Sequence, residues 1–435
     1  CRKPGLKSVE KRKMRMEQNN MDAKTIAQIT KNERTPLYVF DLDALRTRVR
    51  KLKEKLGARV EICYAMKANP FLIEPLQGYV DCFEVCSPGE FHICERSGIP
   101  REKIVLSGVY KNVSDMESVL DRYGQDGIFT VESGEHLRIL AEEGKKRNLT
   151  LRVLLRVTSG NQFGMDPEVI REIICQREAF PQLDFVGLQW YSGTQKKTKK
   201  LAGELEKLDA LLVELNEAYG YEAEILEYGP GLPVSYFQNE IPGQEEELLQ
   251  EAEILDAFSK SLDSMRFRGK IVLEMGRFLA AFCGYYVTRI VDQKRNLGQN
   301  YCIVDGGIHH LNYFGQMMAM KIPKFCHVKQ ETEYTKSRTE QPEKEVALNE
   351  SGEEEAWNIC GSLCTVSDVI VKQLPLVDAK IGDVLVFERT GAYSVTEGIY
   401  LFLSRDLPQI FFWSEENGLE QIRGALPTNE WNSVH

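Results

Sequence analysis

Short apolar runs alternate with helix-like stretches along the chain from residue 61 to residue 276. Eight runs rich in Val, Ile, Leu and aromatic residues can be counted: EICYAMK from Glu61, CFEVCS from Cys82, KIVLSG from Lys103, GIFTV from Gly127, RVLLRV from Arg152, FVGLQWYSG from Phe185, EILEYG from Glu224 and KIVLEMG from Lys270. The intervals carry apolar residues at helical spacing, as in SGEHLRILAEEGKKR, which Ser133 is placed to cap. Eight strand-helix units in about 230 residues predict an α/β fold with a (β/α)8 barrel, and an open doubly wound sheet is the alternative.

A different pattern flanks the barrel on each side. Before it, TPLYVF alternates like a strand, and the amphipathic helix that follows can be capped by Asp41 or Asp43. After it, runs such as YYVTRIVDQKR, NYCIVDGGI, KIGDVLVFERTGAYS and GIYLFLSR predict strands and turns without regular helices. We therefore expect a barrel at 45–290, a separate mostly-β domain at 291–435, and a segment at 21–44 that contributes to the β domain.

Two segments lack the apolar spacing of a folded element. The first twenty residues, CRKPGLKSVEKRKMRMEQNN, are polar and basic, which predicts a disordered lead-in at 1–20 with Met21 as a natural start. Residues 329–357 are rich in Glu, Lys, Thr and Ser, which predicts a mobile acidic insertion in the β domain.

Charge and cysteine usage limit the class of function. The formal net charge of -10 and the pI near 5.4 argue against a nucleic-acid or anionic-membrane surface, because both require clustered cations. The eleven cysteines form no spaced disulfide framework, which predicts a reducing, cytoplasmic environment. The longest apolar stretch, near 278–287, is broken by Gly284 and is far shorter than the roughly 20 residues of a membrane span.

Polar residues end several of the eight runs, where barrel enzymes place their working groups. These residues are Lys67 in the first run, Glu84 in the second, Arg156 in the fifth, Tyr191, Gly193 and Thr194 in the sixth, Gly229 and Gly231 in the seventh, and Glu274, Gly276 and Arg277 in the eighth. Phosphate groups in such barrels bind at the loops after the last two strands, where glycines let a ligand approach the backbone.

A phosphate site, a lysine at the barrel mouth and a carboxylate on the last strand together match the needs of pyridoxal phosphate. Lys67 would form the Schiff base, and Glu274 would keep the pyridinium ring protonated and therefore a strong electron sink, which favours decarboxylation. Each feature alone has an ordinary explanation: a solvated lysine, a plain turn at 229–231, or an ion pair at a strand end. Their coincidence on one face of the barrel favours the cofactor site.

The same residues form a series of motifs. In chain order they are YAMKANP, CSPGE, FGMD, EMGR, CGSLCTVSD and GAYS, spread over Thr35 to about Trp413. This series resembles the pyridoxal phosphate decarboxylases of the alanine-racemase fold, a family that includes diaminopimelate and ornithine decarboxylases. The resemblance implies that Lys67 holds the cofactor, that Glu274 pairs with its ring nitrogen, and that the phosphate is held by Gly231, Thr194, Gly276, Arg277 and Tyr393.

The resemblance also implies a homodimer with shared active sites. In this family the segment with Cys364 and Asp368 comes from the partner subunit, so Cys364 would donate the proton to the carbon that has lost CO₂. The substrate site implied by the resemblance consists of Arg277, Cys364, Thr365, Asp368 and Tyr393. His309, His310, Cys360 and Cys364 fit no closed zinc spacing, and we expect no metal.

Several positions depart from the family pattern. Tyr191 stands where most members stack a histidine on the cofactor ring, and Pro230 removes one N–H donor from the glycine turn that binds phosphate. Diaminopimelate decarboxylases carry a glutamate after the active-site cysteine, where this chain has Thr365, and an arginine after the D-G-G motif, where VDGGIHHLNYFGQMM has none. Free diaminopimelate is therefore a poor fit, because its distal carboxylate would lose its charge-assisted partner.

These departures resemble the branch of the family that acts in butirosin biosynthesis on a glutamyl group tethered to an acyl carrier protein. We therefore expect decarboxylation of a small-molecule amino acid or of a carrier-tethered aminoacyl group. Diaminopimelate decarboxylation is the alternative. An amino-acid racemase, or an inactive homologue that only binds the cofactor, is a weaker interpretation because both Lys67 and Cys364 are present.

Overall fold

The computed structural model describes residues 21–241, 243–329 and 353–434. The predicted lead-in and most of the predicted insertion therefore lie outside the described residues. The chain divides into two compact units. One unit consists of Arg46–Val234 and Gly243–Ala280 and holds the barrel. The other, the β unit, takes the chain up to Leu45, a short segment that begins at Ser235, and the chain from Ala281 onward.

The described residues form seventeen strands and nine α-helices. The strands are β1 Leu37–Asp41, β2 Val60–Ala65, β3 Cys82–Val85, β4 Ile104–Leu106, β5 Ile128–Val131, β6 Leu151–Arg156, β7 Leu183–Tyr191, β8 Ile225–Gly229, β9 Lys270–Met275, β10 Gly284–Asn296, β11 Gln299–Val304, β12 Phe325–Val328, β13 Glu354–Cys360, β14 Val369–Val377, β15 Val384–Glu388, β16 Gln409–Ser414 and β17 Gly418–Arg423. The helices are α1 Ala23–Ile29, α2 Leu42–Leu56, α3 Pro88–Arg96, α4 Val113–Tyr123, α5 Gly134–Arg147, α6 Pro167–Cys175, α7 Thr198–Tyr219, α8 Gln244–Ser264 and α9 Arg277–Ala280.

Strands β2 to β9 close into a parallel barrel in sequence order. Each of the eight predicted runs contains one of these strands, so the predicted barrel is confirmed and the open sheet is wrong. Parallel neighbours require helical crossovers, and α3 to α8 supply most of them. Helix α5 begins at the predicted cap, where Ser133 Oγ accepts a hydrogen bond from His136 N over 3.2 Å.

One apolar residue from every barrel strand packs into a single internal layer. The eight residues are Cys63, Cys82, Val105, Ile128, Leu154, Val186, Ile225 and Val272. Because side chains alternate along a strand, the residues two positions further on also point inward, at the carboxyl end. Glu84, Glu227 and Glu274 occupy such positions. The apolar layer therefore closes the barrel beneath a ring of polar side chains.

The β unit is built on one nine-stranded sheet. Its main path runs β14-β13-β11-β10-β1-β16-β17, and β15 and β12 extend from β10. Strand β1 pairs antiparallel with β10 and parallel with β16, so the predicted N-terminal strand lies inside the sheet. Leu37, Val39, Val287 and Phe411 form its core with Ile26 of α1. Of the two candidate caps for α2, Asp41 is the one that accepts from Ala44 N, over 2.9 Å.

Three boundary predictions differ from the structure. GIYLFLSR is not a strand, because Leu403 and Ser404 have φ of 60° and 50°, which a strand cannot contain. The predicted insertion extends too far, since Glu354 already begins β13, where the side chain of Trp357 is buried. The β unit begins at Ala281 rather than 291, because β10 pairs with β1. Among the described helices, none is both long and apolar enough to cross a membrane.

Candidate active site

The YAMKANP segment is a sharp turn that places Lys67 at the carboxyl end of β2. A 3₁₀ turn, Met66–Ala68, follows the strand directly, and a second one begins at Pro70, where proline is tolerated because its nitrogen needs no partner. Asn69 caps that second turn, since its Oδ1 accepts from Phe71 N over 3.1 Å. Asn69 and Pro70 thus fix the turn that presents the lysine.

Lys67 is held between two buried carboxylates. Its Nζ lies 2.9 Å from Glu84 Oε2 and 3.3 Å from Glu274 Oε1. The side chains of Glu84 and Glu274 are only 3% and 7% exposed, so both need nearby positive charge, which Lys67 and Arg156 supply. Cys86 completes the group, because its thiol donates to Glu84 Oε1 over 2.8 Å and its Sγ lies 3.6 Å from Lys67 Nζ.

Burial and neighbouring charges shift the pKa values of these groups in different directions, lowering that of Glu84 and raising those of Glu274 and Cys86. Burial raises the pKa of Glu84, but attraction to Lys67 and the Cys86 hydrogen bond outweigh it and hold that pKa below its usual range. For Glu274, burial and repulsion from Glu84 dominate, and its pKa is raised. Burial and the neighbouring Glu84 also raise the pKa of the Cys86 thiol, which therefore acts as a neutral donor.

Glu227 is a third buried carboxyl group that the sequence analysis missed. It lies on β8, fully buried, and accepts from Gln189 Nε2 over 3.4 Å. Burial, with repulsion from Glu274 and Glu84, raises its pKa well above the usual range, and its Oε2 has no hydrogen-bond partner among the described residues. The sequence did indicate where Glu227 points. It stands two residues before Gly229 on the same strand, so its side chain points to the same face, into the barrel.

Arg156 brings a second cation to the barrel mouth. At the end of β6 its guanidinium donates to Glu132 Oε1 over 2.8 Å and lies over the ring of Phe163 at 4.8 Å.

Lys111, also missed by the sequence analysis, is buried and donates to the carbonyls of Ser107 and Gly108 at 3.0 and 2.8 Å. Burial lowers the pKa of Lys111 to about 8, against the attraction of Glu132.

The loop after β7, which carries Gly193 and Thr194, lies against the predicted phosphate loop after β8. Tyr191 pairs in register with Gly229, where a Cβ would come within 2.5 Å of the tyrosine ring. Gly231 has φ of +55°, and a Cβ there would lie 2.1 Å from the carbonyl oxygen of Gly193. Thr194 follows Gly193 in the same loop. Only glycine allows this close approach of the two loops.

The Gly276-Arg277 segment borders the Lys67 turn. It follows β9, and Arg277 begins the short helix α9. A Cβ at Gly276 would lie 2.8 Å from the Cβ of Ala68 and 3.1 Å from the Ala65 carbonyl oxygen. The barrel therefore brings together eleven predicted residues at one end of its strands: Lys67, Glu84, Arg156, Tyr191, Gly193, Thr194, Gly229, Gly231, Glu274, Gly276 and Arg277.

The other four predicted residues, Cys364, Thr365, Asp368 and Tyr393, belong to the β unit. The Cys364 side chain is exposed on a loop. Asp368 braces that loop, because its Oδ1 and Oδ2 accept from Ile308 N and Leu363 N over 2.8 and 2.7 Å. Asp368 is only 2% exposed and both of its oxygens accept from backbone groups, so its place near the substrate stays a prediction.

Tyr393 has φ of 67°, an unusual value for a residue with a Cβ. Its carbonyl oxygen accepts from Thr396 N and Glu397 N at 2.9 and 2.8 Å, which holds the backbone there. Backbone strain of this kind concentrates at functional sites.

The Cys364 loop lines a cavity of about 1060 Å³ within the β unit, together with His309 and Arg405.

The barrel mouth fits pyridoxal phosphate. The buried Glu227 oxygen without a partner and the raised pKa of Glu274 mark a place where a cationic ring nitrogen would relieve repulsion among carboxyl groups. Lys67 supplies the amine. At Gly193 a Cβ would meet nothing within 4 Å, so space is open beside the glycine turns for a phosphate.

Comparison with known proteins decides the family. The model for "Pyridoxal-dependent decarboxylase, pyridoxal binding domain" matches residues 42–281. The chain belongs to the pyridoxal-dependent decarboxylases. This decarboxylase is 26% identical over 411 residues to the L-glutamyl-(BtrI acyl-carrier protein) decarboxylase of Niallia circulans, covering 89% of this chain and 91% of that protein. It is 26% identical over 385 residues to the diaminopimelate decarboxylase of Campylobacter jejuni, covering 84% and 88%.

A solved structure shows the same fold. The diaminopimelate decarboxylase from M. jannaschii, in complex with L-lysine, matches the decarboxylase with a TM-score of 0.76 at 22% identity over 92% of each chain. The predicted family, the barrel with its separate mostly-β domain, and pyridoxal phosphate as cofactor are therefore confirmed. The protein is a carboxy-lyase.

Proposed function

We propose that this decarboxylase removes CO₂ from an amino acid, or from an aminoacyl group carried on an acyl carrier protein, whose side chain lacks the distal carboxylate of diaminopimelate. The observation that carries the proposal is the segment 305–320, which contains neither arginine nor lysine. Tyr313, within it, is buried and donates its hydroxyl to the Glu388 carbonyl over 2.7 Å. Thr365, uncharged, follows Cys364. A distal carboxylate would find no cation in either segment.

The Niallia circulans relative supports a tethered substrate, because its name specifies an L-glutamyl group on an acyl-carrier protein. A glutamyl group attached through its side chain has no free distal carboxylate. The substrate would therefore need no charged partner where this chain lacks one.

The barrel residues take defined parts in this function. Lys67 would hold the cofactor through Nζ, and Glu84 stabilises the charge on that amine. Bound pyridoxal phosphate supplies an electron sink for the electrons left when CO₂ departs. Glu274 would meet the ring nitrogen, and the ring of Tyr191 offers a flat apolar face to the cofactor. The phosphate would be held by residues of the glycine loops and the β unit: Gly193, Thr194, Gly229, Gly231, Gly276, Arg277 and Tyr393.

Cys364 would return the proton, acting from the partner subunit of a homodimer. An exposed thiol on a loop that Asp368 braces can reach a neighbouring molecule without rearrangement. Positioned proton donors contribute about 10²–10⁴-fold to rate. Arg277, Thr365 and Tyr393 would line the substrate site.

The test is CO₂ release from purified protein with free L-glutamate, free diaminopimelate, L-ornithine, and glutamyl groups loaded on an acyl carrier protein. We expect turnover on a substrate without a distal carboxylate, and a kcat/KM about tenfold or more above that for diaminopimelate, the size of one lost charge-assisted hydrogen bond. Preferential turnover of free diaminopimelate would reject the proposal.

Diaminopimelate decarboxylation is the second candidate. The Campylobacter jejuni enzyme is as identical to this chain, at 26%, as the carrier-protein relative. The CO₂-release comparison above separates the two candidates, because a diaminopimelate decarboxylase would turn over free diaminopimelate faster than a carrier-bound glutamyl group.

A further inference from the structure

A buried lysine lies directly behind the turn at Pro230. Lys196 follows the Gly193-Thr194 loop, and its side chain is 0% exposed. Its backbone N–H donates to the Gly231 carbonyl oxygen over 3.0 Å, and its Nζ donates to the Gly229 carbonyl oxygen, also over 3.0 Å. A single residue therefore holds both carbonyl groups that flank Pro230.

The ammonium group of Lys196 is kept charged by Glu204 of α7. The Nζ lies 2.8 Å from Glu204 Oε2, which also accepts from Tyr228 OH over 2.7 Å, and Ser192 Oγ donates to the other oxygen. Burial lowers the pKa of Lys196, and Glu204 opposes that effect. Burial raises the pKa of Glu204, but its three donors outweigh burial and hold it below the usual range.

A second set of contacts joins the same two loops. Gln195, which has φ of 58°, donates from Nε2 to the Val234 carbonyl oxygen over 2.8 Å and accepts from Val234 N over 2.6 Å. The loop after β7 and the turn after β8 thus form one clamped structure, and Lys196 supplies its only side-chain cation among the described contacts. A buried ion pair is seldom retained for stability alone, since apolar residues of similar volume replace such pairs at little cost.

We propose that Lys196 is a positioning residue for the cofactor phosphate. It fixes the two carbonyls around Pro230 so that the remaining N–H groups of the turn face the phosphate, and it places an ammonium behind a turn from which proline has removed one donor. Glu204 holds Lys196 in place. The inference rests on the proposed function in one respect, which is that the phosphate binds at this turn.

The experiment compares the affinities of cofactor-depleted full-length protein for pyridoxal phosphate and for pyridoxal, which lacks the phosphate. The ratio of the two dissociation constants isolates the phosphate contribution. For Lys196→Met we expect pyridoxal phosphate binding to weaken about tenfold, as for one charge-assisted hydrogen bond, while pyridoxal binding changes by less than about twofold. Lys200→Met, at an exposed lysine of α7 four residues further along the chain, is the matched control and should leave both constants unchanged.

A second variant keeps the test valid if Lys196→Met does not fold, since it leaves Glu204 buried without its cation. The double variant Lys196→Met/Glu204→Gln removes both charges and should fold, and we expect the same selective loss of pyridoxal phosphate binding. Lys196→Arg, which retains the charge, should keep most of the phosphate preference.

The outcomes separate the inference from the proposed function. If the wild-type protein prefers pyridoxal phosphate but the double variant weakens both ligands equally, or neither, Lys196 has only a packing role and the inference is wrong. If the wild-type protein shows no preference for the phosphorylated ligand, the turn does not bind phosphate, and the proposed placement of the cofactor fails together with the inference.

Discussion

The thiol of Cys86 donates a hydrogen bond to Glu84 Oε1 over 2.8 Å, and Oε2 of the same carboxylate accepts from Lys67. Lys67 Nζ donates to both oxygens of Glu84, over 3.1 Å to Oε1 and 2.9 Å to Oε2, so Oε1 accepts from the neutral thiol and from the cation. The segment CSPGE that carries Cys86 is also a helix start, because Ser87 caps α3 by accepting from Glu90 N over 3.2 Å. A local capping motif thereby holds the thiol against the site.

Cys86→Ala should raise the pKa of Glu84, because one of the hydrogen bonds that lower it is lost. In the folded protein that pKa is below its usual value, so its contribution to stability is present above the usual pKa of about 4.3 and is lost as pH falls through the folded value. The variant should therefore be about 1 kcal/mol less stable than wild type near pH 7, and this difference should shrink as pH falls below the usual pKa, where wild type loses the same stabilisation.

Urea unfolding of the two proteins between pH 3 and pH 7 measures this shift, with the range set around the carboxyl pKa of about 4.3. Cys175→Ala, at an exposed cysteine at the end of α6, is the matched control. Superimposable pH profiles for Cys86→Ala and wild type would contradict the role of the thiol.

Lys67→Ala should abolish the visible absorbance of pyridoxal phosphate bound through a lysine, since no other amine contacts both Glu84 and Glu274 among the described residues. Absorbance of the purified protein after addition of the cofactor is the measurement. Lys111→Ala is an informative control, because Lys111 is also a buried amine of the barrel but bonds to backbone carbonyls. If Lys67→Ala retained the absorbance band, the cofactor would have to be bound through a residue other than Lys67.

The proposed sharing of active sites between two subunits predicts complementation between inactive variants. Lys67→Ala and Cys364→Ala should each lose about 10²-fold or more in turnover, through loss of the cofactor linkage and of the proton donor respectively. Mixed and reassociated in equal amounts, they should recover about a quarter of wild-type activity, because half of the dimers are mixed and each has one intact site.

Lys67→Ala mixed with Glu274→Ala is the matched control for that experiment. Both changes lie in the barrel, so every site in the mixed dimer lacks one of the two groups and no recovery is expected. Recovery in neither mixture would place Cys364 and Lys67 in sites of the same subunit, or remove Cys364 from the reaction.

His309 and His310 make the stability of the β unit sensitive to acid. Burial lowers the pKa of His309 to about 4 and that of His310 to about 3. Both folded values are below the unfolded pKa of about 6.5, so their contribution is present above pH 6.5 and is lost as pH falls, by about 1.4 kcal/mol per pH unit for each histidine.

His309→Phe should remove half of this acid dependence at little cost near pH 7, because neither ring nitrogen of His309 has a hydrogen-bond partner among the described residues. His310→Phe should remove as much but also lower the free energy of unfolding at pH 7 by about 1–3 kcal/mol, since His310 bonds to Tyr286 OH and the Asp406 carbonyl. Thermal unfolding from pH 4 to pH 8 compares them with wild type. If both variants kept the wild-type dependence of stability on pH in acid, the buried neutral histidines would not be the source of that dependence.

The barrel and most of its site could be predicted from the chain, because strand runs, capping motifs and turn glycines are local patterns. Lys67, Glu274 and the glycines at 229–231 end their strands, and in a parallel barrel all strand ends meet at one face. That the strand ends meet at one face could be concluded without knowing the register between neighbouring strands. The GIYLFLSR run failed for the converse reason: its composition favours a strand, but its backbone turns at Leu403.

Only the tertiary structure decided which groups are charged, paired or buried. The pKa of Glu227 rises because the residue is buried and because Glu274 on the neighbouring strand, together with Glu84, repels its charge. The Lys196 clamp exists because α7 brings Glu204 back to the turn after β8. Asp368, identified as a substrate contact from its motif, proved to brace its own loop. Sequence spacing determines where a side chain leaves its strand, whereas its electrostatic energy depends on neighbours that are distant in the chain and on the water that they exclude.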